Sequence, residues 1–141
     1  MVGGPTVLLR HPDDRVALLG LGAGVTLHGC VEAASALAAF GARARVTDVC
    51  SAKPLDVDSV MRTARVTVGR LAVEDHYREG GPGAAVLEAL TECRRPSRVV
   101  RLAVRGVPGP GTPKQAVEEA AISAGYIARA AARLAAVEMS A

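Results

Sequence analysis

Val68-Gly-Arg-Leu-Ala-Val-Glu-Asp-His-Tyr-Arg-Glu-Gly-Gly-Pro-Gly-Ala-Ala-Val86 is the stretch on which the fold turns. It reads as a short buried strand over Leu71–Val73, a polar loop, a glycine cluster and the first turn of a helix. Glu74, Asp75, His76 and Glu79 crowd the point where the strand ends. In an open α/β sheet that point is the carboxyl edge, where ligands and partners dock. Gly80, Gly81 and Gly83 let the backbone take positive φ and come close to a neighbour. A working surface on this chain is expected to run through here.

Outward from this stretch, strand and helix signals alternate. Val16–Leu21 is a continuous apolar run, as expected of a strand covered on both faces. It feeds Gly20-Leu-Gly-Ala-Gly24 and a helix from about Leu27 to Phe40, with Leu27, Cys30/Val31, Ala34 and Leu37/Ala38 on one stripe. Glu32 and Ser35 face out, and Gly41 sits where a C-terminal cap belongs. Ala44–Val49 is the next strand, Ser51-Ala-Lys-Pro54 a turn, and Asp56 or Asp58 caps a short helix through about Ala64.

After the glycine cluster a helix covers Ala84–Cys93 and ends at Arg94-Arg95-Pro96. Arg98–Val104 is a further strand, and Gly106–Gly111 a loop. Thr112-Pro113-Lys114-Gln115 combines a capping box with proline at the first helical position. Ser123 caps the last helix, where Ile127, Ala130/Ala131, Leu134 and Val137 share a face. Ahead of all this, Met1–Pro5 is a flexible start and Thr6–Leu9 an edge strand before the turn His11-Pro12-Asp13-Asp14. Residues 1–14 thus form a lead-in and 15–141 one α/β domain, a mostly parallel sheet with helices on both sides.

Composition narrows the function classes. At 141 residues with half of them apolar, the chain suits one folded domain and not a disordered one. Cys30, Cys50 and Cys93 are odd in number without Cys-x-x-Cys spacing, which reads as free intracellular thiols. There is no signal-peptide pattern, and the low-polarity run Ala120–Val137 carries Arg129 and Arg133, so no membrane span is expected. The expected location is the cytoplasm.

Several local patterns have a plainer explanation than the chemistry they suggest. Gly20-x-Gly22-x-Gly24 follows a strand and opens a helix, with Asp48 where a ribose-binding acid would sit. The dinucleotide fingerprint needs glycine or alanine three residues after its second glycine, and Val25 or Leu27 stands there; a tight turn is the better reading. Glu74, Asp75, His76 and Glu79 lack metal-site spacing, and neither His11 nor His28 is placed by sequence to join them. They read as a solvated or partner-facing loop. His76 has an acidic neighbour to orient it as a base, yet no visible nucleophile. Arg94, Arg95, Arg98, Arg101 and Arg105 lack interleaved aromatics, so they read as a solvated helix end and edge strand, not a nucleic-acid surface. Lys53-Pro54 is a turn, and the chain has neither asparagine nor Gly-Asp-Gly.

Three segments taken in order resemble the C-terminal domain of transketolase, closest to its animal-like branch, over about residues 15 to 137. They are Gly22-Ala-Gly-Val-Thr-Leu-His28, then Ala44-Arg-Val-Thr-Asp48 with Lys53-Pro-Leu-Asp56, then Val73-Glu-Asp-His-Tyr77 with Glu79-Gly-Gly81 and Gly83. Leu102-Ala-Val104, Val107-Pro108 and Ile122-Ser123 with Ile127 fit the same tail. The resemblance implies a three-layer α/β/α domain with a five-stranded, mostly parallel mixed sheet and one antiparallel edge strand. It also implies the last of three domains, in an enzyme that transfers a two-carbon ketol unit from ketose to aldose. In the family, thiamine diphosphate and a divalent metal sit between the first two domains, held by Gly-Asp-Gly…Asn, with a glutamate activating the pyrimidine.

No catalytic, cofactor or metal residue therefore carries over to this chain, which would bind no cofactor alone. Its partners would be chains bearing the diphosphate- and pyrimidine-binding domains, in a dimeric assembly, with no nucleic acid and no membrane. The surface facing them would be Asp75, His76, Tyr77, Glu79, Gly80, Gly81 and Gly83. Many relatives have Val-Pro-Arg-Ser-Gly-Lys-Pro where this chain has Val107-Pro-Gly-Pro-Gly-Thr-Pro113, so two basic residues and a serine are lost, and an anion or subunit contact there is not carried over. Two alternatives stand beside this reading. One is the equivalent domain of deoxyxylulose-phosphate synthase or of a 2-oxoacid dehydrogenase β subunit. The other is a free-standing module binding an anion at Gly20–Gly24 or Gly80–Gly83.

Overall fold

Strands buried on both faces lose the polar alternation of half-exposed ones, and the apolar runs of this chain become strands of that kind. The computed structural model describes residues 6–22, 24–49, 55–93, 98–107, 109–136 and 139. Its strands are β1 (Thr6–Leu9), β2 (Val16–Leu21), β3 (Ala44–Val49), β4 (Gly69–Tyr77) and β5 (Arg98–Val104). Its helices are α1 (Gly24–Ala39), α2 (Val57–Arg65), α3 (Pro82–Thr91), α4 (Pro113–Glu119) and α5 (Ala124–Ala135). The lead-in Met1–Pro5, Cys50, the Ser51–Pro54 turn, Arg94-Arg95-Pro96, Pro108 and Val137 lie outside the described residues; α3 itself starts two residues before the expected Ala84 and ends at Thr91, with Glu92 as its C-cap, short of the expected Cys93.

The five strands lie in the order β1-β3-β2-β4-β5. All neighbours are parallel except β1, which runs antiparallel to β3 at the edge. Side chains alternate across the sheet and build two cores. Val16, Leu18, Leu71 and Val73 pack with Cys30 and Leu37 of α1 and Ile127 and Leu134 of α5. Ala17, Leu19, Leu21 and Ala72 pack on the other face with Val60 and Ala64 of α2 and Val86 and Leu90 of α3. This is the three-layer α/β/α architecture with a five-stranded, mostly parallel mixed sheet. The chain leaves β2 toward β3 on one side and returns to β4 on the other, so the topological switch point lies at the carboxyl ends of β2 and β4.

Local signals fix most element ends, with some shifts. α1 starts at Gly24 and not Leu27, its first turn tied back by the Thr26 hydroxyl donating to the Leu21 carbonyl at 3.3 Å. It closes at Gly41, whose φ of +82° lets Gly41 N donate to Ala38 and Ala42 N to Leu37. Thr112 and Gln115 form the expected reciprocal capping box of α4. Ser123 occupies the N-cap position of α5, but its side chain makes no cap bond, which corrects the sequence expectation. Cys30 is enclosed between α1 and the sheet, and burial pushes its thiol up to about 12, so it packs as an apolar group. Among the described residues no helix is long and apolar enough to cross a membrane.

Asp56, rather than Asp58, caps α2. Its Oδ1 accepts from Ser59 N at 3.0 Å and its Oδ2 from the Ser59 hydroxyl at 2.8 Å. These bonds hold the carboxyl below its ordinary value of 3.8. The folded state then binds this proton less readily than the unfolded state. The contribution is complete above the unfolded pKa and lost as pH falls through the lower folded one. Asp56→Asn is expected to reduce the loss of melting temperature between neutral pH and about pH 3. Identical pH dependence in variant and parent would contradict this role.

Candidate functional site

The charged residues that follow the apolar run of β4 do not form a loop. β4 continues through Glu74, Asp75 and His76 to Tyr77, longer than the Leu71–Val73 strand the sequence suggested. Between the pairs Val73–Leu102 and Tyr77–Val104 the register shifts, and three residues of β4 stand opposite Ala103 alone. Such a bulge re-aims side chains, and bulges concentrate at sheet edges and beside active sites. Here it divides the acidic cluster: Glu74 turns inward, while His76 and Tyr77 are exposed.

Glu74 is fully buried, so the reading of a solvated or partner-facing acid does not hold for it. Its Oε1 accepts from Arg101 Nη2 at 2.7 Å and its Oε2 from Gly83 N at 2.8 Å. Gly81 is the N-cap of α3 and has no side chain to cap it, so the carboxylate of the neighbouring strand takes over that task. The same Arg101 Nη2 also donates to the Arg78 carbonyl at 2.6 Å. One acid and one base, from adjacent strands, thus clamp both ends of the β4–α3 connection. Arg101 was expected on a solvated strand; it is the half-buried partner of a buried acid, whereas Arg98 and Arg105 are exposed and Arg94 and Arg95 lie outside the described residues.

The glycines serve the clamp in different ways. A Cβ at Gly81 would lie 2.6 Å from both Glu74 Oε2 and the Tyr77 carbonyl, and one at Gly83 would lie 2.5 Å from Glu74 Oε1. Both positions need close approach and not positive φ: Gly81 has a φ of −75°. Gly80 is the opposite case, with a φ of +72° and open space around it.

Asp75 and His76 stand at the switch point. His76 Nδ1 lies 3.0 Å from Asp75 Oδ1, an ion pair when the imidazole is protonated though not a well-directed hydrogen bond. Gly22, in the turn after β2 with a φ of +108°, packs against both: a Cβ there would run into Asp75 Oδ1 and lie 2.8 Å from His76 Cε1. The glycine turn after β2 is therefore explained by contact with the end of β4, in keeping with the tight-turn reading. His11 sits in the turn before β2 and His28 on α1 beside Glu32, so neither joins His76. Tyr77, Arg78, Glu79 and Gly80 are exposed, while Gly81 is half-buried and Gly83 buried behind them.

Among the described residues no group of three or more His, Cys, Asp or Glu is placed to hold a metal ion. The sequence has neither asparagine nor Gly-Asp-Gly. What the carboxyl edge offers instead is a shaped surface with a rigid support.

Comparison with known proteins identifies the domain. Residues 5–136 match the family described as transketolase, C-terminal domain. The chain is 42% identical over 129 residues to transketolase-like protein 2 of Mus musculus, covering 90% of this chain and 20% of that protein. It is 42% identical over 131 residues to the transketolase of Homo sapiens, covering 92% of this chain and 20% of that protein. The chain thus spans about a fifth of the length of these relatives. Among solved structures it is similar to one described as a split gene transketolase, inactive beta4 tetramer, with a TM-score of 0.83 and 32% identity, covering 96% of this chain and 43% of that one. It shares its fold with the transketolase of Leishmania mexicana, at a TM-score of 0.69 and 17% identity over 94% of this chain and 18% of that one. With residues 5–136 matched to the family and these relatives covering nearly all of it, the chain belongs to the transketolase C-terminal domain family.

Proposed function

We propose that this chain is the C-terminal domain, or a separately encoded C-terminal subunit, of a thiamine-diphosphate-dependent transketolase. The whole enzyme moves a two-carbon ketol unit from a ketose to an aldose, in a dimeric cytoplasmic assembly. The observation that carries the reading is the extent of the match: nearly all of this chain corresponds to a fifth of its relatives. The cofactor and its divalent metal belong to chains with the diphosphate- and pyrimidine-binding domains. The cofactor carries the transfer chemistry, and no step of it is assigned to a residue here.

The part of this chain is to present its carboxyl edge to those partners. His76, Tyr77, Glu79 and Gly80 form the outer surface, Asp75 backs His76, and Gly81 and Gly83 admit the clamp behind them. The antiparallel β1 supports this orientation. Thr6 pairs with Asp48, next to the last residue of β3, so β1 begins at the same edge. In relatives about five times as long, the polypeptide preceding a C-terminal domain would arrive there.

The test is reconstitution. Purified chain alone is expected to transfer no ketol group between a ketose phosphate and an aldose phosphate. Activity is expected when it is co-expressed with chains carrying Gly-Asp-Gly…Asn from the same source. Turnover by this chain alone would contradict the reading, as would partner chains that neither bind it nor change in activity with it.

A further inference from the structure

β4 and β5 leave the sheet side by side at the carboxyl edge, and a cleft of about 570 Å³ opens between their exits. Tyr77, Arg78 and Glu79 line one side, and Arg105, Gly106 and Val107 the other. Val107 is 89% exposed and Tyr77 52%, so two large apolar side chains flank the opening. Among the described residues neither Arg78 nor Arg105 forms an ion pair, and Glu79 is the one acid in the lining. Arg101, beneath the cleft, is already neutralised by Glu74. The wall is held in place: the Arg78 carbonyl accepts from Arg101 at 2.6 Å, and Arg78 N donates to the Val104 carbonyl at 3.2 Å.

We propose that this cleft receives an acidic segment with an apolar tip, supplied by the polypeptide that carries the cofactor-binding domains. The inference rests on the assembly reading above and names the contact. Two unpaired guanidinium groups against one carboxylate leave a positive surplus for an acidic occupant. A free phosphate would satisfy the charge but leave Tyr77 and Val107 uncovered, whereas a protein segment covers both. The cleft opens at the carboxyl end of the sheet, the end at which β1 begins, with β1 and β5 at opposite lateral edges.

The experiment uses the co-expressed complex and measures its dissociation constant at low and high salt. Replacing both Arg78→Ser and Arg105→Ser keeps the backbone carbonyl that Arg101 binds. It is expected to weaken assembly about tenfold at low salt and to flatten the salt dependence. Val107→Ser is expected to weaken assembly with the salt dependence unchanged. Both sets are surface changes, and the isolated chains should melt with the parent. A parent complex that forms while these variants match its affinity and salt response would overturn the cleft contact and leave the assembly reading standing. Failure of the parent to assemble would overturn both. Inorganic phosphate binding to the isolated chain, abolished by the double replacement without any effect on assembly, would make this a small-anion site and overturn the proposal as well.

Discussion

Arg101→Met is expected to destabilise the folded chain by about 3–5 kcal/mol, because it strands the Glu74 carboxylate in the interior. Two hydrogen bonds go with the guanidinium, the one to Glu74 and the one to the Arg78 carbonyl. Glu74 keeps only its bond from Gly83 N. Glu74→Gln leaves the converse problem, an amide that can still cap α3 but cannot neutralise Arg101. Combining Glu74→Gln with Arg101→Met removes both charges and keeps the cap. The double variant is therefore expected to lose less than the sum of the single losses, with a coupling of roughly 1–3 kcal/mol. Urea unfolding midpoints of the four proteins measure this directly. Additive losses each below about 1 kcal/mol would mean that solvent screens the pair and that the clamp has been misread.

The second large effect concerns Gly81. Its φ of −75° suits any residue, so Gly81→Ala carries no backbone penalty. The added methyl nevertheless meets Glu74 Oε2 and the Tyr77 carbonyl, each at 2.6 Å, and the carbonyl is backbone that cannot swing aside. The expected cost is about 1–3 kcal/mol, with β4 and the start of α3 pushed apart. Gly80→Ala makes the contrast: nothing stands near its Cβ, and its φ of +72° alone predicts a loss of about 1–2 kcal/mol. The two variants separate by their partners. Shortening the clamp with Glu74→Asp should relieve the part of the Gly81→Ala loss that comes from Glu74 Oε2, not the part from the Tyr77 carbonyl, and leave Gly80→Ala unchanged; equal responses would show that the glycines act by one mechanism.

Much of the fold is legible because two-sided burial leaves an uninterrupted apolar run. Val16–Leu21 could be bounded from such a run and Arg98–Val104 from its apolar centre, whereas Ala44–Val49 carries Arg45, Thr47 and Asp48 among its apolar residues. The end of β4 was hidden for the opposite reason. Glu74-Asp75-His76 has the polarity of a loop, and the partner that lets Glu74 stay inside is Arg101, 27 residues away. A signal was present: Arg101 alternates with Val99 and Ala103 within an apolar strand, and a charge in that place needs a counter-charge. Nothing in the local pattern says which acid supplies it. The glycine cluster was recognised as a place of close approach, but whether a given glycine is needed for its φ or for its missing Cβ depends on the Glu74 side chain across the gap. The start of α1 was missed because Gly24 and Val25 precede any buried stripe, and the first turn is tied down by Thr26.

The most direct test of the central claim is calorimetric titration of thiamine diphosphate, with magnesium present, into the purified chain. The donor set on this domain predicts no saturable binding, and binding that returns when the partner chains are added. Stoichiometric binding by the chain alone would contradict the account.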